Sequence, residues 1–154
     1  MKKYGLIGKS LAHSWSPAWF ADKFEREGIT DAEYRLYEMD TPEHLRQWVD
    51  KNGIDGFNVT IPFKEQVLPF LDRVDDVARR VGAVNCVEVR QGVLVGHNTD
   101  APAFAETLSP LLRPWHTQPS SSALGALRGR CPMCWRGWAS TSCSCRAIRL
   151  AATA

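Results

Sequence analysis

Apolar and polar positions change their period repeatedly along the first 117 residues. Residues 4–8 form a short apolar run closed by Gly8, the pattern of a buried strand. Ser16-Pro17 then opens a helix, with a hydroxyl at the cap and proline at the first helical position, where its missing N–H costs nothing. Trp19, Phe20, Lys23, Phe24 and Glu27 follow at helical spacing until Gly28 stops them. Residues 34–39 alternate as a second strand. Thr41-Pro42 repeats the start signal ahead of an apolar face made by Leu45, Trp48 and Val49, closed by Asn52-Gly53. Residues 55–62 read as a third strand ending in proline, and 63–71 and 74–81 as two short helices, the second stopped at Gly82. Residues 85–90 and 93–96 flank Gln91-Gly92 as a hairpin. Asn98-Thr99-Asp100 opens a last helix, with Phe104 and Leu108 on one side.

Strands alternating with helices predict an α/β fold, a mostly parallel sheet layered with helices. About 115 residues can bury a core of their own, and Trp15, Trp19, Phe20, Trp48, Phe57 and Phe63 are the large side chains expected to fill it. No run approaches the roughly 18 apolar residues of a membrane span. The first eight residues start basic, but glycines break their apolar stretch too early for a signal peptide. A cytoplasmic setting follows.

Composition changes the picture in one respect. The whole chain of 154 residues has a formal charge of +2, too little to argue for nucleic acid. That average hides two unlike parts. Residues 1–117 hold 14 Lys and Arg against 17 Asp and Glu, whereas 118–154 hold 5 Arg and no acid. Four of the five cysteines, Cys131, Cys134, Cys143 and Cys145, also lie in the second part. The domain expectation is therefore 1–117 as an ordered unit and 118–154 as an irregular tail.

In such sheets ligands gather beyond the C-terminal ends of the strands. Ser14 and Ser16 follow the first strand, and Asn58, Thr60 and Lys64 the third; Asn85 precedes the hairpin, and Asn98, Thr99 and Asp100 follow it. Amides, hydroxyls, one lysine and one aspartate suit a small, polyhydroxylated anion. Each also has a plainer reading: Ser16 as a cap, Asp100 as a cap of the last helix, Lys64 beside Glu65 as a solvated surface lysine.

Four segments stand in order: Ser10-Leu11-Ala12-His13-Ser14-Trp15-Ser16-Pro17, Gly56-Phe57-Asn58-Val59-Thr60-Ile61-Pro62-Phe63-Lys64, Gly82-Ala83-Val84-Asn85 and Gly96-His97-Asn98-Thr99-Asp100. Together they resemble the N-terminal, substrate-binding domain of the shikimate dehydrogenase family, over about residues 3–115. Members of that family reduce 3-dehydroshikimate to shikimate with NADPH, a step of aromatic amino-acid biosynthesis. The resemblance implies that Ser14 and Ser16 hold the substrate carboxylate and that Thr60, Asn85 and Asp100 bind ring hydroxyls. Asn58 lies in the same motif, and Lys64 and Asp100 match the catalytic pair. An ammonium within reach of the carbonyl delivers the proton that the developing alkoxide needs and stabilises its charge. One departure is local: Ala101-Pro102-Ala103 stands where the family often has glycine, a place near a helix start where proline is tolerated.

The tail is the larger departure. The cofactor domain should begin with a strand and a glycine-rich turn, but residues 118–130 have neither a strand run nor Gly-x-Gly-x-x-Gly. The resemblance therefore implies NADP(H) for the intact enzyme and no complete NADP(H) site here. Cys131-Pro132-Met133-Cys134 with Cys143-Ser144-Cys145 permits a zinc reading, but the second pair is too tight for a usual knuckle. A shifted reading frame accounts for more. GC-rich codons chosen for residues 119–135, read one nucleotide earlier, give A-L-V-L-G-T-G-G-A-S-R-A-V-S-H-V-L, which resembles the family's NADP-binding strand, turn and helix start. Residues 136–146 continue as A-G-L-G-I-D-V-L-L-V-S-R. The expectation is a dehydrogenase substrate domain followed by an out-of-frame tail, inactive alone, with a small-molecule ligand and a surface open to self-association. Its rivals are a non-catalytic shikimate-binding or interaction module and a quinate-preferring dehydrogenase.

Overall fold

The computed structural model of the protein describes residues 1–111. The chain divides between Thr99 and Asp100 into two units. The first holds β1 (Lys2–Gly8), α1 (Ser16–Arg26), β2 (Ala32–Glu38), α2 (Leu45–Asn52), β3 (Gly56–Val59), α3 (Phe63–Gln66), β4 (Arg73–Val74), α4 (Asp76–Val81), β5 (Cys86–Arg90) and β6 (Val93–His97). Of the second, the described residues form α5 (Asp100–Leu108) and a 3-10 turn, Ser109–Leu111. The expected boundary after residue 117, the tail 118–154 and its four cysteines lie outside the described residues.

Six strands make one sheet in the order β2-β1-β3-β5-β6-β4. β1 pairs parallel with β2 and β3, and β4 parallel with β6, while β5 is antiparallel to both of its neighbours. Five strands thus run one way, which agrees with a mostly parallel sheet. The reversal of β5 follows from its turn. Gln91 (φ 52°) and Gly92 (φ 78°) both adopt positive φ, the two-residue turn that matches strand twist and can only join antiparallel neighbours.

The core lies on one side of the sheet. Ile7, Phe57, Val59, Val87 and Leu94 point there and pack with Leu45 and Val49 of α2, Phe63 of α3 and Ala78 of α4. Trp48 closes this face, meeting the rings of Tyr37 (5.0 Å) and Phe57 (5.3 Å) edge-on. Gly5 is glycine because Tyr37 occupies the space: an added Cβ would lie 2.5 Å from its ring. Each buried Phe or Leu here contributes roughly 1.5–3 kcal/mol.

Four expectations need correction. Trp15, not Ser16, takes the cap position of α1, because the backbone already turns helical there (φ −83°, ψ −10°). Ser16 becomes the first helical residue, and its N–H is met by Ser14 Oγ at 3.3 Å. Trp15 and Trp19 are not core: they are 86% and 54% exposed, and Phe20 is the α1 ring that turns inward and stacks on Tyr34. Thr41-Pro42 opens a turn rather than a helix, with Thr41 Oγ1 accepting from the Glu43 N–H, and α2 begins only at Leu45. Arg73–Val74, placed at the edge of a helix by its sequence, is a two-residue strand beside β6.

Candidate functional site

Parallel strands and one reversed strand bring distant motifs to a single edge. β1 and β3 end there, β5 begins there and β6 ends there. The loop after β1 carries Ser14, the first residue of α1 is Ser16, the loop after β3 carries Thr60, and α3 carries Lys64. Thr60 is fixed by its own backbone: its N–H donates to Ile7 O (3.0 Å), and its carbonyl accepts from Phe63 N–H (2.9 Å). Its methyl lies 2.7 Å from where a Gly8 Cβ would be, so Gly8 lets the two loops close. The Lys64 carbonyl accepts from Val84 N–H at 2.7 Å, tying α3 to the segment before β5.

Asn85 is the best-held of the candidates, with only 8% of its surface exposed. Its Nδ2 donates to Thr99 Oγ1 (2.8 Å), and its Oδ1 accepts from Thr99 N–H (2.9 Å). Asn98 is likewise buried and donates to Ala83 O at 2.8 Å. These bonds join Gly82-Ala83-Val84-Asn85 to Asn98-Thr99. The Asn85 carbonyl accepts from Val59 N–H (2.9 Å) and from Asn58 Nδ2 (3.3 Å). Asn58 Oδ1 in turn accepts from the Tyr34 hydroxyl at 2.9 Å. Polar bonds therefore join Tyr34, Asn58, Asn85 and Thr99 across β2, β3 and the ends of the hairpin, and Ser14 separately meets the Ser16 N–H at the start of α1.

Of the seven residues singled out in the sequence, Asn58 and Asn85 belong to this series of bonds; Ser14 and Ser16 stand together at the start of α1, with Thr60 and Lys64 on the neighbouring loop and helix. Asp100 opens α5 in the second unit. Sequence reasoning missed Tyr34. Its only signal was a tyrosine in an alternating strand, and its hydrogen-bond partner, Asn58, comes from another motif. Burial pushes the Tyr34 phenol well above the ordinary tyrosine range, so it stays protonated and can donate. Burial, then the nearby Glu88 charge, also pushes the Cys86 thiol up, which argues against a reactive cysteine.

Two further features lie near these residues, the first toward the opposite ends of β1 and β3. A cavity of about 460 Å³ opens on the α1 side, between Tyr4, Phe20, Tyr34, Asn58, Cys86 and Glu88. Of the seven candidate residues, only Asn58 lines it. His97 Nδ1 lies 2.9 Å from Asp75 Oδ2, and Asp75 also caps α4 by accepting from Ala78 N–H. That pair fastens β6 to α4.

The described residues do not fit a dinucleotide. A pyrophosphate needs a strand-to-helix glycine turn with open backbone N–H groups. Gly8 and Gly96 instead lie against side chains: an added Cβ would sit 2.6 Å from Leu11 Cδ2 and 2.5 Å from Leu71 Cδ1. Among the described residues no group of three or more His, Cys, Asp and Glu could hold a metal ion. No described helix is long and apolar enough to cross a membrane.

The family described as the shikimate dehydrogenase substrate binding domain matches residues 6–87. A shikimate dehydrogenase (NADP(+)) of Geobacillus sp. (strain WCH70) is 44% identical over 110 residues, 70% of this chain and 39% of that one. Among solved structures, shikimate dehydrogenase 1 from Peptoclostridium difficile superposes with a TM-score of 0.66 at 34% identity, covering 71% of this chain and 41% of that one. Shikimate 5-dehydrogenase from Thermus thermophilus, solved in complex with shikimate, gives 0.64 at 35% identity, covering 78% and 46%. The chain spans about two fifths of the length of the curated relatives it matches. With its four ordered motifs gathered mainly at one sheet edge and this match over its first half, the chain belongs to the shikimate dehydrogenase substrate-binding domain family.

Proposed function

We propose that this chain is the substrate-binding part of an NADP-dependent shikimate dehydrogenase and binds shikimate or 3-dehydroshikimate at the polar sheet edge. The observation that carries this reading is the hydrogen-bonded series from Tyr34 to Thr99, which holds hydroxyls and amides in place before any ligand arrives. Preorganised donors of this kind suit a carboxylate and several ring hydroxyls. In this reading Ser14 and Ser16 take the carboxylate, while Thr60, Asn58, Asn85 and Asp100 take the hydroxyls. Lys64 gives a proton to the alkoxide formed when hydride reaches the ring carbonyl, and Asp100 orients it.

By itself the chain binds without turnover. Neither Gly8, at the end of β1, nor Gly96, inside β6, is open to a pyrophosphate, and residues 118–154 read as a frame-shifted cofactor segment. Calorimetric titration with shikimate tests the first half: binding with a Kd on the order of 1 mM is expected, and no heat at several times that concentration would sink the reading. Mixing the chain with shikimate and NADP+ tests the second, and any formation of NADPH would overturn it. Sequencing the DNA across the codons for residues 110–154 tests the tail. A missing or extra base near codon 118 supports the shifted frame, whereas a clean frame without the glycine motif removes it.

A further inference from the structure

We propose that the outer edge of β2 pairs antiparallel with the same edge of a second copy of this chain, in one register centred on Tyr34. This inference stands apart from the substrate reading above. β2 is an end strand of the sheet, with β1 as its one neighbour. Its seven residues follow β1 without a bulge and include no proline. The Lys2 N–H donates to Asp31 O and the Met39 N–H to Gly8 O, so the odd-numbered residues of this segment bond toward β1. In a parallel ladder the alternate residues face the other way. Ala32, Tyr34, Leu36 and Glu38 therefore turn their N–H and C=O groups outward, and among the described residues these groups meet no partner. Such an edge is a template for another strand.

Side chains select the register. Glu33 and Arg35 share the face of Tyr37, and within one chain Arg35 Nη2 meets Glu33 Oε2 at 2.7 Å. With Tyr34 opposite the partner's Tyr34, Glu33 stands opposite the partner's Arg35, and Arg35 opposite the partner's Glu33. Opposite charges so placed stabilise paired strands, and like charges destabilise them. Centring the pair on Arg35 instead sets the two arginines against each other. Centring it on Leu36 sets Tyr34 opposite the partner's Glu38, a carboxylate already committed in its own chain to the Leu11 N–H.

The other face favours the same register independently. A cavity of about 350 Å³ opens between α1 and β2, lined mostly by apolar residues that include Ala21, Phe24, Ile29 and Ala32. In the register centred on Tyr34 the partner's Leu36 lies opposite Ala32 and reaches into this space, and the two-fold axis repeats the fit in the other copy. Centring on Arg35 would bring the partner's Glu38 there, a charge against an apolar wall. Ala32, Tyr34 and Leu36 of each copy then exchange backbone bonds across the axis. Among the described residues the sheet's other edge is β4, with two residues. That edge is too short to extend the array, so assembly closes at two copies.

Sedimentation of the full chain tests the pairing, using the parent, Arg35→Glu, Glu33→Arg and the double variant, each checked for folding by circular dichroism. The parent is expected to dimerise with a Kd on the order of 10 μM. Each single variant sets like charges opposite one another and is expected to dimerise about 10-fold more weakly or worse. An equimolar mixture of the two single variants restores both opposite-charge pairs across the axis and is expected to dimerise as the parent does, as is the double variant. A parent that stays monomeric at about 1 mM would overturn the proposal. So would a dimer or larger species that Arg35→Glu leaves unchanged, or folded single variants whose mixture stays monomeric. Should a single variant fail to fold, the double variant decides: a dimer supports the pairing and a monomer overturns it.

Discussion

The two faces of the sheet are built by different physics. On the α2 side, Ile7, Phe57, Val59 and Val87 are almost wholly buried, and their neighbours from α2 and α3 are apolar. On the α1 side, α1 buries no residue completely, and Tyr34, Asn58 and the Asn85 carbonyl meet through hydrogen bonds beside a 460 Å³ cavity. Burial of apolar area is non-directional and tolerates rearrangement, whereas a hydrogen-bonded series works only if every proton has a place. The first face holds the fold. The second, held to it, keeps polar groups aimed.

The sharpest way to break this contrast is from the packed face. Phe63→Ala removes a ring that is 1% exposed and is expected to cost about 3–5 kcal/mol, seen as a large fall in the urea midpoint. An equal fall from an α1-face truncation such as Phe20→Ala would erase the distinction.

Asn85→Ala is expected to do less to stability and more to binding. It leaves the Asn85 backbone bonds intact and removes the two side-chain bonds to Thr99, at about 1–3 kcal/mol. Shikimate binding should vanish in the same preparation. Calorimetry beside a denaturation curve separates the two effects.

Titration gives the two smallest effects. Tyr34 binds its proton more tightly when folded than when unfolded. Its contribution is therefore complete below the ordinary tyrosine value of about 10 and is lost as pH rises beyond it. The midpoint of unfolding should fall as pH rises above about 10 in the parent and less steeply in Tyr34→Phe. Asp72 behaves oppositely. The Leu94 N–H and then Arg46 lower its carboxyl below the usual range. Its contribution is present above that range and lost as pH falls through it. Asp72 is exposed, so Asp72→Asn should flatten the acid limb of the stability curve only slightly.

Most of the frame was legible because long-range order here follows local patterns. The Gln91-Gly92 hairpin, the stop at Gly28 and the α5 start at Asp100 all obey rules that act within a few residues. β4 was not legible, since two residues carry no period and Arg73–Val74 becomes a strand only because β6 lies beside it. The exposed tryptophans misled for a related reason: size argues for burial, but Trp15 sits where α1 begins and faces outward. In the site, the motif residues were readable and Tyr34 was not. Its hydrogen-bond partner lies 24 residues away, and no local spacing announces such a meeting.

The hairpin between β5 and β6 also constrains how this chain can vary. Asn85 stands just before it and Thr99 just after, so the tip at Gln91-Gly92 is remote from the site it closes. Lengthening that tip would leave both ends where they are. Deleting one residue within β5 would act otherwise, because side chains alternate between faces. With the turn held in place, the residues before the deletion would change face, and Asn85 would leave Thr99. Tolerance to insertion should therefore be high at residues 91–92 and absent three residues before them, a boundary that a library of single-codon insertions and deletions would draw directly.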